Sequence, residues 1–386
     1  MRHIIGFFRN FFRKGDMILL TLCLLTTVFG CMVIASTTNH MGNTRHIIVQ
    51  LAATGLGVLC YIAISALDVD FMVEHRTGMA IFNLFLIALL LPFGIRVGGN
   101  RSWLHFPFLP VNIQPAEICK ITFILIMASV MGSHQNRPSA ITSVMHMGFH
   151  LLLFFLPNLL ISGDMGVSLI FVFILIGMAF AGGVNLLWFL GGAGALVAMA
   201  PIIWSRLGAY QQNRILILFD PTIDPTGIGP RYHTRLSLES LTGGGLMGQG
   251  LFQGTRTQTP DALPAQHTDF IFSAIGEELG YAGCAVVLIL LFLIIARCFQ
   301  VGMRSQDYMR RLVCFGAASA LIFQVVVNVG MCIGVMPVIG ITLPFVSYGG
   351  SSIVTLYAML GLVSGVHERP APASHERYIR APYLRR

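Results

Sequence analysis

The chain has 386 residues, of which 55% are hydrophobic and only 10% charged, with a formal net charge of +8 at pH 7. A soluble globular chain carries roughly 25% charged residues, so that class is excluded. The positive balance needs no nucleic acid, because most of it lies in short loops and termini between apolar runs, where it can orient the chain and attract anionic lipid.

The apolar runs are about 17 to 25 residues long, and each can span a bilayer as a helix. They are continuous rather than alternating, which argues against a membrane sheet. The expected fold is all-α: ten transmembrane helices in one membrane domain, residues 17–366, with a large external loop at 205–268. Spans are expected at about 17–36, 46–66, 78–95, 114–132, 141–161, 165–181, 184–204, 269–297, 309–333 and 345–366.

Residues 1–16 set Ile4, Phe8, Phe11 and Phe12 among Arg2, Arg9, Arg13 and Lys14. This suits an amphipathic helix on the inner leaflet, or a basic flank that only sets topology. The first run is long enough to span and nine more follow, so it reads as an uncleaved anchor. After the third span come Arg96, Arg101 and Trp103. Trp103 is an interfacial anchor by type. Arg101 is a candidate partner for an anionic headgroup, against a plain solvated arginine.

The fourth span opens Gln114-Pro115-Ala116-Glu117-Ile118-Cys119-Lys120. Proline suits the first helical turn. Glu117 and Lys120 are three apart and share a face. Lys120 is one of two lysines in the chain and lies inside a span. Such charges must face partners or a wet cavity. A substrate-facing pair and a structural ion pair are the competing readings. Asp164, between the fifth and sixth spans, reads first as a loop cap.

The stretch 205–268 holds Tyr210-Gln211-Gln212-Asn213-Arg214 and a glycine cluster at Gly243, Gly244, Gly245, Gly248, Gly250 and Gly254. The glycines could cradle a phosphate, but no Gly-Lys-Ser/Thr ending makes a Walker loop. Tight turns are the commoner use. The loop ends at His267-Thr268-Asp269-Phe270-Ile271-Phe272, where polar chain gives way to apolar. A carboxylate at that depth is a functional candidate by default. The competing reading is an N-terminal cap by Thr268 with Asp269 complementing the helix dipole. Ser273 lies one turn from Asp269 on the same face. Of Glu277 and Glu278, one is expected to face a cavity and the other a polar neighbour. Beyond Asn328, Pro337 and Pro344 should break the helix before Ser347-Tyr348-Gly349-Gly350-Ser351-Ser352. The tail, 367–386, is short and basic, and a disordered segment is expected there. The eight cysteines show neither Cys-x-x-Cys nor metal spacing and read as small buried apolar residues.

Ten spans put both termini on one side. Arg2, Arg9, Arg13, Lys14, Arg76, Arg137, Arg297, Arg304, Arg310 and Arg311 fall there, against Arg45, Arg96 and Arg101 in the short loops opposite. Both termini are therefore expected in the cytoplasm and 205–268 outside.

Several stretches together resemble one family. They are Gln114 to Lys120, Gln211 to Arg214, Leu263-Pro264 with His267 to Phe272, Glu277-Glu278-Leu279-Gly280, and Asn328 through Ser352. They are similar to the SEDS proteins of bacteria, which comprise RodA, FtsW and SpoVE. Asn328-Val329-Gly330-Met331 and Met336 to Ile341 look closer to the RodA members than to the FtsW members. The resemblance implies a peptidoglycan glycosyltransferase in the bacterial inner (cytoplasmic) membrane. It would polymerise lipid II on the outer face, working with a class B penicillin-binding protein transpeptidase. It makes Asp269 the catalytic residue and Glu117 and Lys120 functional positions, with Gln114, Arg101, Arg214, His267 and Ser273 as further substrate-binding candidates. Departures are Asn112 where many members have arginine, Asp164-Met165-Gly166-Val167 for the usual Asp-x-Gly-Thr, and Leu236-Ser237 for a Gln-Ser pair.

In such a reaction a sugar hydroxyl attacks an anomeric carbon whose leaving group is a polyprenyl pyrophosphate. The hydroxyl needs a base and the diphosphate needs positive charge. Asp269 is the candidate base; Lys120, Arg101 and Arg214 are candidate diphosphate partners. A helix N-terminus would weaken Asp269 as a base. It could instead orient the hydroxyl or hold a divalent cation, Mg or Mn. A flippase for lipid-linked precursor and a non-catalytic scaffold of a wall-synthesis complex are the rival readings. A strong inverted repeat would favour the flippase, and none is visible.

Overall fold

The computed structural model describes residues 11, 15–42, 44–97, 100–106, 112–224, 229 and 231–367. Most of the 1–16 segment, the tail beyond His367 and the Pro225-Thr226-Gly227 turn lie outside the described residues.

The chain is helical along most of its length. In order the elements are α1 (Met17–Thr37), α2 (Arg45–Ala66), α3 (Val69–Glu74), α4 (Arg76–Ala88), strands β1 (Gly94–Val97) and β2 (Asn100–Leu104), α5 (Pro115–Ser133), α6 (Ile141–Pro157), α7 (Met165–Ala181), α8 (Leu186–Arg206), α9 (Ala209–Leu216), α10 (Tyr232–Gly243), α11 (Ile271–Arg304), α12 (Tyr308–Cys332) and α13 (Gly350–Val366). A turn at Leu90–Phe93 prolongs α4, and a π turn at Asn158–Ser162 prolongs α6. Among the described residues eight helices are long and apolar enough to cross a membrane, and α7 and α13 are shorter apolar helices of 17 residues each. At 1.5 Å per residue, 17 residues reach about 25 Å, the short end of what spans a bilayer. These helices fall where the apolar runs predict them, and the chain is a multi-pass membrane protein.

Local chemistry fixes the helix starts. Asp16 caps α1 by accepting from Leu19 N–H at 3.0 Å, and Asp164 caps α7 by accepting from Val167 N–H at 3.1 Å. Asp307 does the same for α12, and Pro115 opens α5. Each cap satisfies amides that have no partner inside the helix. α5, α12 and α13 are the most buried of these helices; α8 has no buried residue.

The structure corrects the sequence reading in four places. The membrane part is all helical, but the loop after α4 carries a two-stranded antiparallel hairpin, β1–β2, with Ile95 opposite Trp103. The external stretch contains two helices, α9 and α10, rather than loop alone. The eighth span does not begin at Asp269: α11 starts at Ile271 and is broken at Gly280, where φ is +67° and ψ −169°. An unbroken 34-residue helix would be about 51 Å long against a hydrocarbon core of about 30 Å. The break separates a first part, Ile271–Glu278, buried throughout, from a second with an outward stripe at Tyr281, Val286, Ile289 and Phe292.

The glycine cluster is the fourth correction, because it packs against α11 rather than opening to a ligand. A Cβ on Gly244 would collide with Gly276 O, and one on Gly248 with Glu278 O. Without side chains the two backbones join directly: Gln249 N–H donates to Glu277 O and Gly250 N–H to Glu278 O, both at 2.9 Å. Both glutamates are drawn into this contact. Glu278 Oε1 accepts from Ser36 and Thr257 hydroxyls at 2.7 Å and from Gln258 Nε2 at 3.1 Å. Glu277 Oε1 accepts from Arg256 N–H at 2.6 Å. Both tie the 205–268 stretch to the bundle, and each keeps its Oε2 buried without a partner.

Candidate active site around Asp269

Asp269 sits in the turn before α11. The helix N-cap is Phe270, and no side chain caps it. Thr268 instead donates its hydroxyl to Ala265 O at 3.2 Å. The capping explanation for the Thr268-Asp269 pair therefore fails, and the Asp269 carboxyl has its pKa raised rather than lowered as a helix start would have it.

What holds Asp269 is its backbone. Asn328 of α12, fully buried, donates through Nδ2 to Asp269 O at 2.8 Å and to Ile341 O at 2.7 Å. Ser347 donates its hydroxyl to Thr268 O at 2.6 Å while accepting Leu343 N–H at 2.8 Å. Tyr348 N–H donates to His267 O at 2.8 Å. Residues 267–269 are thus clamped between α12 and the Pro-broken loop 333–349. The side chain is treated differently. Among the described residues no hydrogen bond or ion pair reaches the Asp269 carboxylate. It is partly exposed yet closely surrounded. Burial pushes its pKa up to about 6, and the Asp164 carboxylate adds to the rise. Gly340, with φ of +72°, lies beside Asp269 Oδ2; a side chain there would be strained, and its Cβ would lie 3.7 Å from that oxygen.

Asp164 is near because α7 approaches the same loop. A Cβ on Gly166 would lie 2.7 Å from Ile339 O. Asp164 keeps its predicted capping role and also accepts from Ser102 of β2 at 3.1 Å. Burial raises its pKa from the ordinary aspartate value, and Glu117 acts on it in the same direction. Glu117 and Lys120 form the expected pair, Nζ to Oε2 2.8 Å, with both side chains buried. Thr355 of α13 donates to the same oxygen at 3.0 Å. Among the described residues Glu117 is the one acceptor for Lys120, which leaves two of three ammonium N–H groups. The charged groups thus form a chain: Lys120–Glu117, Asp164, Asp269.

The other predicted residues are placed unevenly. Gln114 is buried at the N-cap of α5. Arg214 of α9 donates to Val338 O at 2.7 Å and so reaches the loop that flanks Asp269. His267 packs against His46 and Tyr348, ring centroids 5.2 and 5.7 Å apart; burial lowers its basicity to about 4, so it is neutral at physiological pH. Arg101 is engaged within its own hairpin region, donating to Leu91 O at 3.2 Å, and no described contact joins it to Asp269 or Lys120. Ser273 is fully buried, its hydroxyl paired with Ser237 of α10 and so taken up inside the protein. Sequence reasoning missed His233, whose ring stacks on Phe270 at 6.0 Å and 14°, and the clamping role of Asn328. A lone histidine on an amphipathic stretch gave no signal. Among the described residues no three His, Cys, Asp or Glu side chains come together as a metal site. All eight cysteines are free, six of them buried.

A multi-pass helical membrane protein with a backbone-clamped acid, unpaired among the described residues, at the end of a long polar stretch is the class that fold and site define. The chain belongs to the FtsW/RodA/SpoVE family of cell cycle proteins, whose model matches residues 16–371. It is 33% identical over 357 residues to "Peptidoglycan glycosyltransferase MrdB" of Escherichia coli K12, covering 91% of this chain and 92% of that one. It is 32% identical over 362 residues to "Probable peptidoglycan glycosyltransferase FtsW" of Trichlorobacter lovleyi, with 91% and 92% covered. In structure it resembles a chain of a peptidoglycan synthase complex that coordinates polymerization and crosslinking, with a TM-score of 0.77, 30% identity, and 92% and 97% covered. It also resembles RodA of Thermus thermophilus, with a TM-score of 0.67, 27% identity, and 92% and 96% covered.

Proposed function

We propose that this chain is a peptidoglycan glycosyltransferase that polymerises lipid II into glycan strands at the outer face of the bacterial inner membrane. The observation that carries the reading is the Asp269 carboxylate: its backbone is fixed by Asn328 while its oxygens stay free. A raised pKa suits a group that must take a proton near neutral pH. In the step, the acceptor hydroxyl oxygen bonds to the donor's anomeric carbon as the bond from that carbon to the pyrophosphate breaks. Asp269 takes the hydroxyl proton, and the electron pair leaves with the polyprenyl pyrophosphate. Lys120, with N–H groups to spare, and Arg214, beside the loop at Val338, are the cations nearest this role for the diphosphate.

A class B penicillin-binding protein is the partner this reading implies, supported by the likeness to a chain of a synthase complex. Both termini are cytoplasmic and the α9–α10 region external, on the arginine asymmetry. A single cysteine introduced at the exposed Thr259 should label in intact cells; labelling only after permeabilisation overturns that orientation. The defining experiment is strand formation from labelled lipid II by the purified chain with and without its transpeptidase. Lipid II transfer across vesicles without polymer would replace this reading with the flippase, and neither activity would leave the scaffold.

A further inference from the structure

The glycine-rich loop carries an apolar tip that the reaction does not use. Leu246 is 76% exposed and Met247 82% exposed, and Phe252 close by is 45% exposed. Apolar side chains left exposed on a water-facing loop forgo the favourable free energy that burial would supply. Their height relative to the bilayer is fixed by hydrogen bonds. Tyr281 N–H donates to Gly245 O at 3.0 Å and Ala282 N–H to Leu246 O at 3.1 Å. The tip is therefore bonded to the first residues of the spanning part of α11, just past the break at Gly280. A second, independent contact sets the same level. Ser36, in the last turn of α1, accepts Phe252 N–H at 2.9 Å and donates to Glu278. Phe252 has a φ of +64°, a conformation costly for a bulky residue, and this hydrogen bond holds it there. Two spans thus end where the tip lies. Below it on α11, Tyr281, Val286, Ile289 and Phe292 form the outward lipid-facing stripe, and an aromatic at the top of such a stripe marks the headgroup level.

We infer that Leu246, Met247 and Phe252 insert into the outer headgroup region of the bilayer and moor the external loop to the lipid surface. The occupant is lipid rather than protein because the patch continues the lipid-facing stripe of α11 without a step. The mooring matters because the same loop holds Glu277 and Glu278, and through them the buried first part of α11 that follows Asp269.

The test uses the full chain in lipid nanodiscs, with Cys31 and Cys60 replaced by serine. A nitroxide is placed at Leu246→Cys or Met247→Cys, with Tyr281→Cys as the interfacial reference and Thr259→Cys as the water reference. The readout is accessibility to oxygen, which concentrates in lipid, against a water-soluble nickel chelate. Because the Leu246 and Met247 side chains are largely free of protein contacts, the variants should stay monodisperse, and only monodisperse protein is measured. The expected result is oxygen dominance at 246 and 247 matching the Tyr281 reference. Nickel dominance matching Thr259 would overturn the inference. So would water exposure in nanodiscs that becomes shielding only when the partner transpeptidase is added, which would make the patch a protein contact.

Discussion

Asp269 and Glu278 stand nine residues apart in one segment and are handled in opposite ways. Glu278 is buried, and three side chains from two other parts of the chain donate to one of its oxygens. Asp269 has its backbone carbonyl held by Asn328 while its carboxylate takes no bond. A buried carboxylate is tolerated when donors surround it, and then it is structural. The Asp269 carboxylate, left without donors among the described residues while its main chain is clamped, has a disfavoured charged form, and such a group is a functional-site candidate. Depth in the bundle does not separate the two acids; the donors that reach their oxygens do, three on Glu278 Oε1 with Oε2 left without a partner, and none on Asp269.

The strongest way to break this comparison is Asp269→Asn. The amide is nearly isosteric, and the bonds made by Asn328 and Ser347 go to backbone atoms that the substitution leaves alone. Strand formation should fall by about 10² to 10⁴, the usual weight of a general base. Yield and co-purification with the transpeptidase should hold. Near-normal polymerisation would remove Asp269 from the chemistry and revive the scaffold and flippase readings.

Glu117 lies between the two extremes, since it is bonded but to a cation that has donors left over. Lys120→Met should abolish polymerisation, and it should also cost about 3 to 5 kcal/mol by leaving Glu117 uncompensated in a buried site. The double variant Glu117→Gln with Lys120→Met separates these effects. It should recover thermal stability while staying inactive. Recovery of both would make the pair a structural tie only.

Much of this contrast was out of reach of the sequence. The spans were legible because hydrocarbon permits few backbone solutions, so long apolar runs must be helices. Asp269 was legible because it ends a polar stretch inside a recurring hexapeptide. Its freedom from capping was not, because that depends on where α11 begins, two residues later than the apolar run suggested. The roles of Glu277 and Glu278 were misread because their partners, Ser36 and the loop from Gln249 to Gln258, meet them only in the folded chain. The Asn328 clamp bridges 59 positions to Asp269 and leaves no local pattern. Spacing likewise placed Ser273 on the Asp269 face, yet α10 covers it with Ser237.

Glu278→Ala sharpens the comparison from its structural side. It removes hydrogen bonds to a charged group, each worth about 1.5 to 3 kcal/mol, and strands the Ser36, Thr257 and Gln258 donors. The thermal midpoint should drop and the external loop should become protease-sensitive. The folded fraction should keep the parent's strand-forming rate per molecule. A folded, stable and inactive Glu278→Ala protein would put this acid in the chemistry and undo the distinction.

The smallest expected effect, and the most direct test of the physical claim, is a divergence between two pH profiles. The folded Asp269 carboxyl is raised to about 6, whereas an unfolded aspartate titrates near 3.9. The folded protein therefore holds this proton more tightly than the unfolded one. The stability contributed by that proton is fully present below about pH 4 and is lost as pH rises through about 6. Activity should run the other way, because a base must be unprotonated: strand formation should rise through about pH 6 and level off above it. His267, lowered to about 4, is neutral across this window and does not mask the limb. Strand formation and thermal midpoint measured together from pH 5 to 8 give both curves. Asp269→Asn should abolish the activity limb, flatten the matching part of the stability curve, and melt higher than the parent at pH 7.5. An activity limb centred near the ordinary aspartate value, or a variant that melts lower, would mean that donors reach this carboxylate after all, and Asp269 would then belong with Glu278.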